Sequence, residues 1–366
     1  MNRRLASLDI LRGADLWLLL FFGPVAAALV EVCPGLTGLQ HQIEHVPWHG
    51  FVLWDIIMPL FLFMSGITIP FSMGKYRDGL RPDRAFYLKL LRRFCLLFFL
   101  GWVVQGNLLA FDWKQFHPFA NTLQAIAVGY VVAALLFIHF DWRAQAAFCA
   151  GFFALYALAF VLSGSMDLDP QGNIAMLVDK AVLGSHRDGV TWKADGSWRY
   201  DGEYQYTWIL SSLNFAVTVM LGCFAGEILR NGRRPEARAG FLALSGAVLV
   251  LAGLALDPLF PIVKKIWSSS MTLFSGGLCF LLIALTYYLV DVHGWHRGLD
   301  WLKYYGMNSI AAYCIGEVVD FSSVSASLLH GFSGWAGYPV LIAFGNVTIL
   351  FFILRLLYRR GIFLKV

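Results

Sequence analysis

The 366-residue chain is 58% hydrophobic and only 14% charged, with a mean hydropathy of +0.65. A soluble protein carries about a quarter charged residues, so a soluble globular domain is excluded. The net charge of +5 comes without a polybasic arm or interleaved aromatics, which excludes a nucleic-acid-binding class.

Charge sits in short runs between long apolar stretches, so the expected fold is all-α, a polytopic transmembrane helix bundle. Stretches of roughly 20 apolar residues predict about ten helices, at 14–31, 50–72, 86–108, 120–139, 144–163, 206–229, 239–257, 268–290, 305–322 and 337–358. One irregular segment at 164–205 is longer than the other connections. No internal repeat or low-complexity tract is visible, and residues 1–366 read as a single domain with an outer loop at 164–205. Asn2-Arg3-Arg4 before an apolar run resembles a signal peptide, but Asp9, Arg12 and Asp15 interrupt the run and no small-residue cleavage site follows. Five of the six cysteines fall inside predicted helices and only Cys33 falls outside, so no disulfide framework is implied.

With the N-terminus inside, 21 of the 28 Lys and Arg residues face the cytoplasm. They are Arg3, Arg4 and Arg12, seven from Lys75 to Arg93, Arg143, four from Arg230 to Arg238, Arg297 and Lys303, and four from Arg355 to Lys365. This positive-inside bias puts both termini in the cytoplasm and predicts a multi-pass protein of the inner membrane.

Ionisable residues near or within such helices mark function by default. At the start of the first span, Asp9 and Arg12 are spaced i,i+3 and can pair; capping and membrane anchoring explain them as well as any chemistry does. Before the second span, Gln40-His41-Gln42-Ile43-Glu44-His45-Val46-Pro47-Trp48-His49-Gly50 precedes Asp55. His45 and Asp55 would be ~15 Å apart along a continuous helix. Pro47 and Gly50 predict a turn that brings them closer. A histidine there can act as a general base or nucleophile, or can simply be wetted at the interface. A metal site through His41, His45 and His49 would need a continuous helix, against which Pro47 argues, so no metal is expected.

The outer segment carries Asp167, Asp169, Asn173 and His186, then an aromatic and acidic stretch from Trp192 to Tyr206. Such a mixture holds sugars by stacking and hydrogen bonding, and it also anchors chains at the interface. Further along come Asn121 and Gln124, then Lys264-Lys265-Ile-Trp267-Ser-Ser-Ser270, and Asn308, with Glu317 and Asp320 following. The serines and Asn308 suit helix–helix contacts. Glu317 and Asp320 must face a partner or a cavity.

These pieces together resemble the heparan-α-glucosaminide N-acetyltransferase family of transmembrane acyltransferases, and most of all bacterial members associated with N-acetylglucosamine utilisation. The similarity runs through Ser7-Leu-Asp9-Ile-Leu-Arg12-Gly13, His45-Val-Pro-Trp-His-Gly50, Asp55, Pro59-Leu-Phe-Leu-Phe-Met-Ser-Gly66, Asn121-Thr-Leu-Gln-Ala-Ile-Ala127, Asp169-Pro-Gln-Gly-Asn173, Val182-Leu-Gly-Ser-His186, Pro261 to Ser270 and Gly306-Met-Asn-Ser309. No piece is specific alone, but the ordered set is.

The resemblance implies an enzyme, an acyltransferase that takes acetyl from cytoplasmic acetyl-CoA and passes it to the amino group of glucosamine or a related amino sugar at the outer face. It implies His45 and Asp55 as the catalytic pair. Asp55 or Glu44 would fix the histidine's tautomer. His45 would act either as a base on the amine or as an acetyl carrier, and the sequence leaves both open. The CoA phosphates need cations at the inner mouth, where Arg12, Lys89, Arg92, Arg93 and Lys303 are available, with Asn308 beside them. Candidate sugar contacts are Glu44, Trp48, His49, Asn121, Gln124, Asn173, His186, Lys265 and Trp267. Ala125 stands where the lysosomal member has arginine, and no residue near Gly23 matches the polar asparagine of that member's first outer loop; these departures favour a small amino sugar over a polymer. Expected partners are acetyl-CoA, the sugar and the bilayer, with a homodimer left open. The alternative function is a transporter of N-acetylglucosamine or another solute, although no Gly/Pro-broken helices recur in corresponding halves.

Overall fold

The computed structural model describes residues 5–106, 108, 111–166 and 168–364. Arg3, Arg4 and Lys365 of the inner cation count, and Asp167 of the outer segment, lie outside the described residues.

Five of the helices begin where a polar side chain satisfies one of the first free N–H groups. The helices in chain order are α1 (Ala6–Val32), α2 (Thr37–Ile43), α3 (Leu53–Arg77), α4 (Arg84–Val104), α5 (Thr122–His139), α6 (Trp142–Ser163) and α7 (Ile174–Leu183). After a short hairpin, β1 (Val190–Trp192) with β2 (Trp198–Tyr200), follow α8 (Ser212–Arg230), α9 (Pro235–Leu256), α10 (Ser269–Val292), α11 (Lys303–Met307), α12 (Ser309–Val318), α13 (Ser322–Leu328) and α14 (Tyr338–Arg359). Asp83, Asn121, Asp141, Asn173 and Ser268 accept backbone N–H bonds as N-caps of α4, α5, α6, α7 and α10. The chain is thus an all-α polytopic membrane protein, and eight described helices are long and apolar enough to cross a bilayer.

The two other predicted spans take different forms. Helix α4 has the length of a span but carries Lys89, Arg92 and Arg93 along its first half. The expected helix 305–322 is broken at Asn308, which leaves the helical region (φ −115°, ψ 34°) and accepts the Leu364 N–H. An asparagine competes for backbone partners in this way, and the break separates α11 from α12. The outer segment, expected to be irregular, instead holds α7 and the hairpin. The predicted helix at 206–229 starts only at Ser212, because the buried Asp179 carboxylate of α7 captures the N–H groups of Trp208 and Ile209 at 2.7 and 2.9 Å.

The core lies between α3, α5, α8 and α10, centred on Leu62, Phe63, Ile67, Val219, Met220 and Ile283. Two crossings place backbone on backbone. A Cβ on Gly66 would stand 1.9 Å from the Val219 carbonyl oxygen, and one on Gly222 would stand 1.9 Å from that of Phe63. Small residues allow this approach in a medium where lipid supplies no hydrophobic drive between helices. Gly306 of α11 meets Asp9 of α1 in the same way, which holds the N-terminal end of α1 in place.

Candidate functional site

Helix α2 ends at Ile43, before Pro47, and residues 44–52 turn back toward α3. Two contacts pin this turn to the connection between α9 and α10. His49 pairs with Val263 as an isolated antiparallel bridge, and Gly50 N–H donates to the Ile262 carbonyl at 3.0 Å. The ring of His49 also meets Asp257 at 2.9 Å. This pinning carries His45 over the start of α3, where its Nδ1 lies 2.7 Å from Asp55 Oδ1.

The same bridge delivers Lys264. Its ammonium lies 3.3 Å from Asp55 Oδ1 and 3.2 Å from His45 Nδ1. Asp55 is fully buried and Lys264 is 6% exposed, so neither charge is compensated by water. The other carboxylate oxygen, Oδ2, accepts the Val52 N–H at 3.1 Å. A carboxylate holding a backbone N–H on one oxygen and an ammonium on the other remains ionised and accepts from Nδ1–H. That tautomer leaves His45 Nε2 as the unprotonated nitrogen, turned away from Asp55. Burial lowers the Lys264 amine to about 8, against the opposing attraction of Asp55. A second carboxylate, Asp15 of α1, is wholly buried, interacts electrostatically with Lys264 and accepts no hydrogen bond among the described residues.

His45 and Lys264 line a cavity of about 300 Å³. Its walls include Tyr204, Tyr206 and Trp208, delivered by the loop that Asp179 holds, together with Trp54, Phe61, Thr122, Tyr313 and Glu317. Burial raises Asp179 to about 6 even though two N–H groups stabilise its anion. A larger cavity of about 760 Å³ adjoins the first, and Phe61, Thr122 and Tyr313 are common to both. Arg12, Lys75, Lys89, Arg92 and Arg93 ring it, while Leu90, Leu97, Leu123 and Ile126 line its depth. Arg12 lies 3.9 Å from Asp9, the expected i,i+3 pair, and the Arg93 guanidinium sits 3.9 Å over the Tyr130 ring.

The remaining expected contacts divide plainly. Lys303 bonds Asp300 at 2.6 Å, and Asn308 is buried at the break between helices; neither lines the basic cavity. Glu44 is exposed and accepts from Gln40, and Trp48 packs against the apolar cluster that includes Phe260, Val263 and Ile266. Asn121 and Asn173 cap α5 and α7, and Gln124 ties residues 118–120 to α5. His186 stacks edge-on against Trp113. Lys265 bonds Gln205, and Trp267 is buried with its indole N–H on Thr218. None of these substrate candidates lines the cavity beside His45. The residues that do, Lys264 and the Tyr204–Trp208 aromatics, had a legible signal: Asp55 required a cation, and the aromatic run suited a sugar. Among the described residues no group of three His, Cys, Asp or Glu side chains could hold a metal ion.

No protein-family model matches the chain. The chain is similar to the heparan-alpha-glucosaminide N-acetyltransferase of Mus musculus, at 24% identity over 87% of this chain and 54% of that protein. It is similar to that of Homo sapiens at 25% identity over 87% of this chain and 53% of that protein. The chain therefore resembles these proteins at family level and spans about half the length of the curated relatives it matches.

Proposed function

We propose that the chain is a transmembrane N-acetyltransferase that moves acetyl from cytoplasmic acetyl-CoA to the amino group of glucosamine, or of a related amino sugar, at the outer face of the inner membrane. One observation carries this reading: a basic cavity and a histidine-bearing cavity meet at Phe61, Thr122 and Tyr313. A donor with phosphates at one end and a thioester at the other fits such a pair. Arg12, Lys89, Arg92 and Arg93 would hold the phosphates, and the apolar depth would take the pantetheine arm toward Tyr313. The cation bias places the basic cavity and both termini inside. The smaller cavity, lined by six aromatic side chains together with His45, suits a monosaccharide.

In this reading His45 Nε2 accepts a proton from the sugar amine as the amine nitrogen attacks the thioester carbonyl. The carbon–sulfur bond then breaks, and CoA leaves as thiolate and takes up a proton on the inner side. Asp55 holds the Nδ1–H tautomer and stabilises the imidazolium, while Lys264 keeps Asp55 ionised. The same nitrogen could carry acetyl first, CoA thiolate leaving and the amine then displacing imidazole. The test is free thiol released from acetyl-CoA by purified protein in detergent, with and without glucosamine. Thiol released with glucosamine and matched by N-acetylglucosamine supports the reading. No thiol overturns it in favour of a solute transporter.

A further inference from the structure

Glu317 is the acidic residue of the His45 cavity that the chemistry above leaves unused. It sits in the last turn of α12, a ten-residue helix that ends at Val318. The C-terminal end of a helix carries partial negative charge, so a carboxylate there is disfavoured unless a cation joins it. Among the described residues Glu317 makes no hydrogen bond or ion pair of its own, although it lines the cavity. The candidate partners in and beside the cavity are committed elsewhere. Lys264, the cation of that cavity, lies against Asp55, and His45 turns its Nδ1 to the same carboxylate. Lys265, just outside, bonds Gln205. Among the described residues the cavity therefore presents an unpaired carboxylate together with the rings of Tyr204, Tyr206 and Tyr313, and aromatic rings also attract cations.

We infer that Glu317 is the specificity determinant of this cavity and binds the ammonium group of the incoming substrate. The inference rests on the acetyl-transfer reading and deepens it: the acceptor enters as a protonated primary amine on a small polyhydroxylated ring. Glu317 holds the ammonium in the cavity; one proton passes to water at the outer mouth to free the lone pair, and His45 takes a second as the nitrogen attacks. A neutral sugar of the same shape, or the acetylated product, lacks the charge that Glu317 recognises. The product is therefore released from this contact as soon as the amide forms.

The experiment measures binding of glucosamine and of N-acetylglucosamine to the full-length protein in detergent by isothermal titration, without acetyl-CoA. Glu317→Gln keeps the side chain's size and removes its charge. It should weaken glucosamine about tenfold or more, the size expected for a lost hydrogen bond to a charged group. It should leave N-acetylglucosamine within twofold. Glu317→Asp should recover part of the loss, which a merely structural role would not predict. Equal weakening of both sugars, or no weakening of glucosamine, overturns the assignment while thiol release by the wild-type protein keeps the broader reading. Wild-type protein that neither binds glucosamine nor releases thiol overturns both.

Discussion

Asp55→Asn is the most informative single substitution, because its effect follows from hydrogen-bond polarity alone. Asp55 Oδ2 accepts the Val52 N–H at 3.1 Å, a donor that cannot reverse. The asparagine oxygen must stay there, so its NH2 group takes the place of Oδ1 and faces His45 Nδ1, 2.7 Å away in the native protein. A donor at that position forces Nδ1 to accept, and the ring proton moves to Nε2. The nitrogen turned toward the cavity then carries a proton and cannot take another or attack a carbonyl. Loss of a general base costs about 10²–10⁴ in rate, and inverting the tautomer of a comparable triad costs ~10⁴. The substitution also strands Lys264 as a buried, unpaired ammonium, and breaking a buried pair this way costs about 3–5 kcal/mol. The assay is thiol release, read as kcat and KM, on protein that elutes as a single species in size-exclusion chromatography. A fall in kcat of at least a hundredfold with little change in KM for acetyl-CoA is expected. Folded Asp55→Asn protein with kcat within threefold of wild type would refute both the tautomer argument and the role given to His45.

Three further outcomes follow. His45→Ala should lower turnover about a hundredfold or more, while His41→Ala in α2 and His49→Ala in the following turn, both away from Asp55, should retain most of it; equal losses would point to a general effect on this segment. The double variant Arg92→Ala, Arg93→Ala should raise the KM for acetyl-CoA at least tenfold and leave that for glucosamine nearly unchanged, as steady-state kinetics would show. Lys264 titrates at about 8 when folded and near its ordinary 10.5 when unfolded, so between those values the unfolded chain holds the extra proton and stability rises with pH. Thermal melts should show that rise in the wild type, and a Lys264→Met variant with the same slope between pH 8 and 10 would contradict it.

Local pattern carried most of the fold. Apolar runs located the eight long helices, and the cap at Asn121 begins α5 near where polar residues interrupt its run. What local pattern could not reveal is how distant loops meet. Lys264 and Lys265 are neighbours with the same chemistry. The irregular turn at Trp267 (φ +51°) and the bridge at Val263 send one into the core against Asp55 and the other outward to Gln205. Polarity was similarly ambiguous: Asn121, Gln124 and Asn173 satisfy backbone groups, so the trait that suggested sugar contacts serves helix ends instead. The break at Asn308 escaped notice because an asparagine inside an apolar run is compatible with a continuous span until its partner at Leu364, far along the chain, is known.

The shared wall of Phe61, Thr122 and Tyr313 has an electrical meaning. If one cavity opens to each side of the bilayer, most of the membrane voltage falls across those three side chains. Each elementary charge that leaked past them at ~100 mV would dissipate about 2.3 kcal/mol. In the proposed reaction the wall would let an acetyl group react across it while remaining tight to protons and sodium. An aromatic pair whose ring centroids lie 6.5 Å apart, with a hydroxyl on only one of them, offers ions little solvation. The bulk of Phe61 would then serve as insulation between the two cavities.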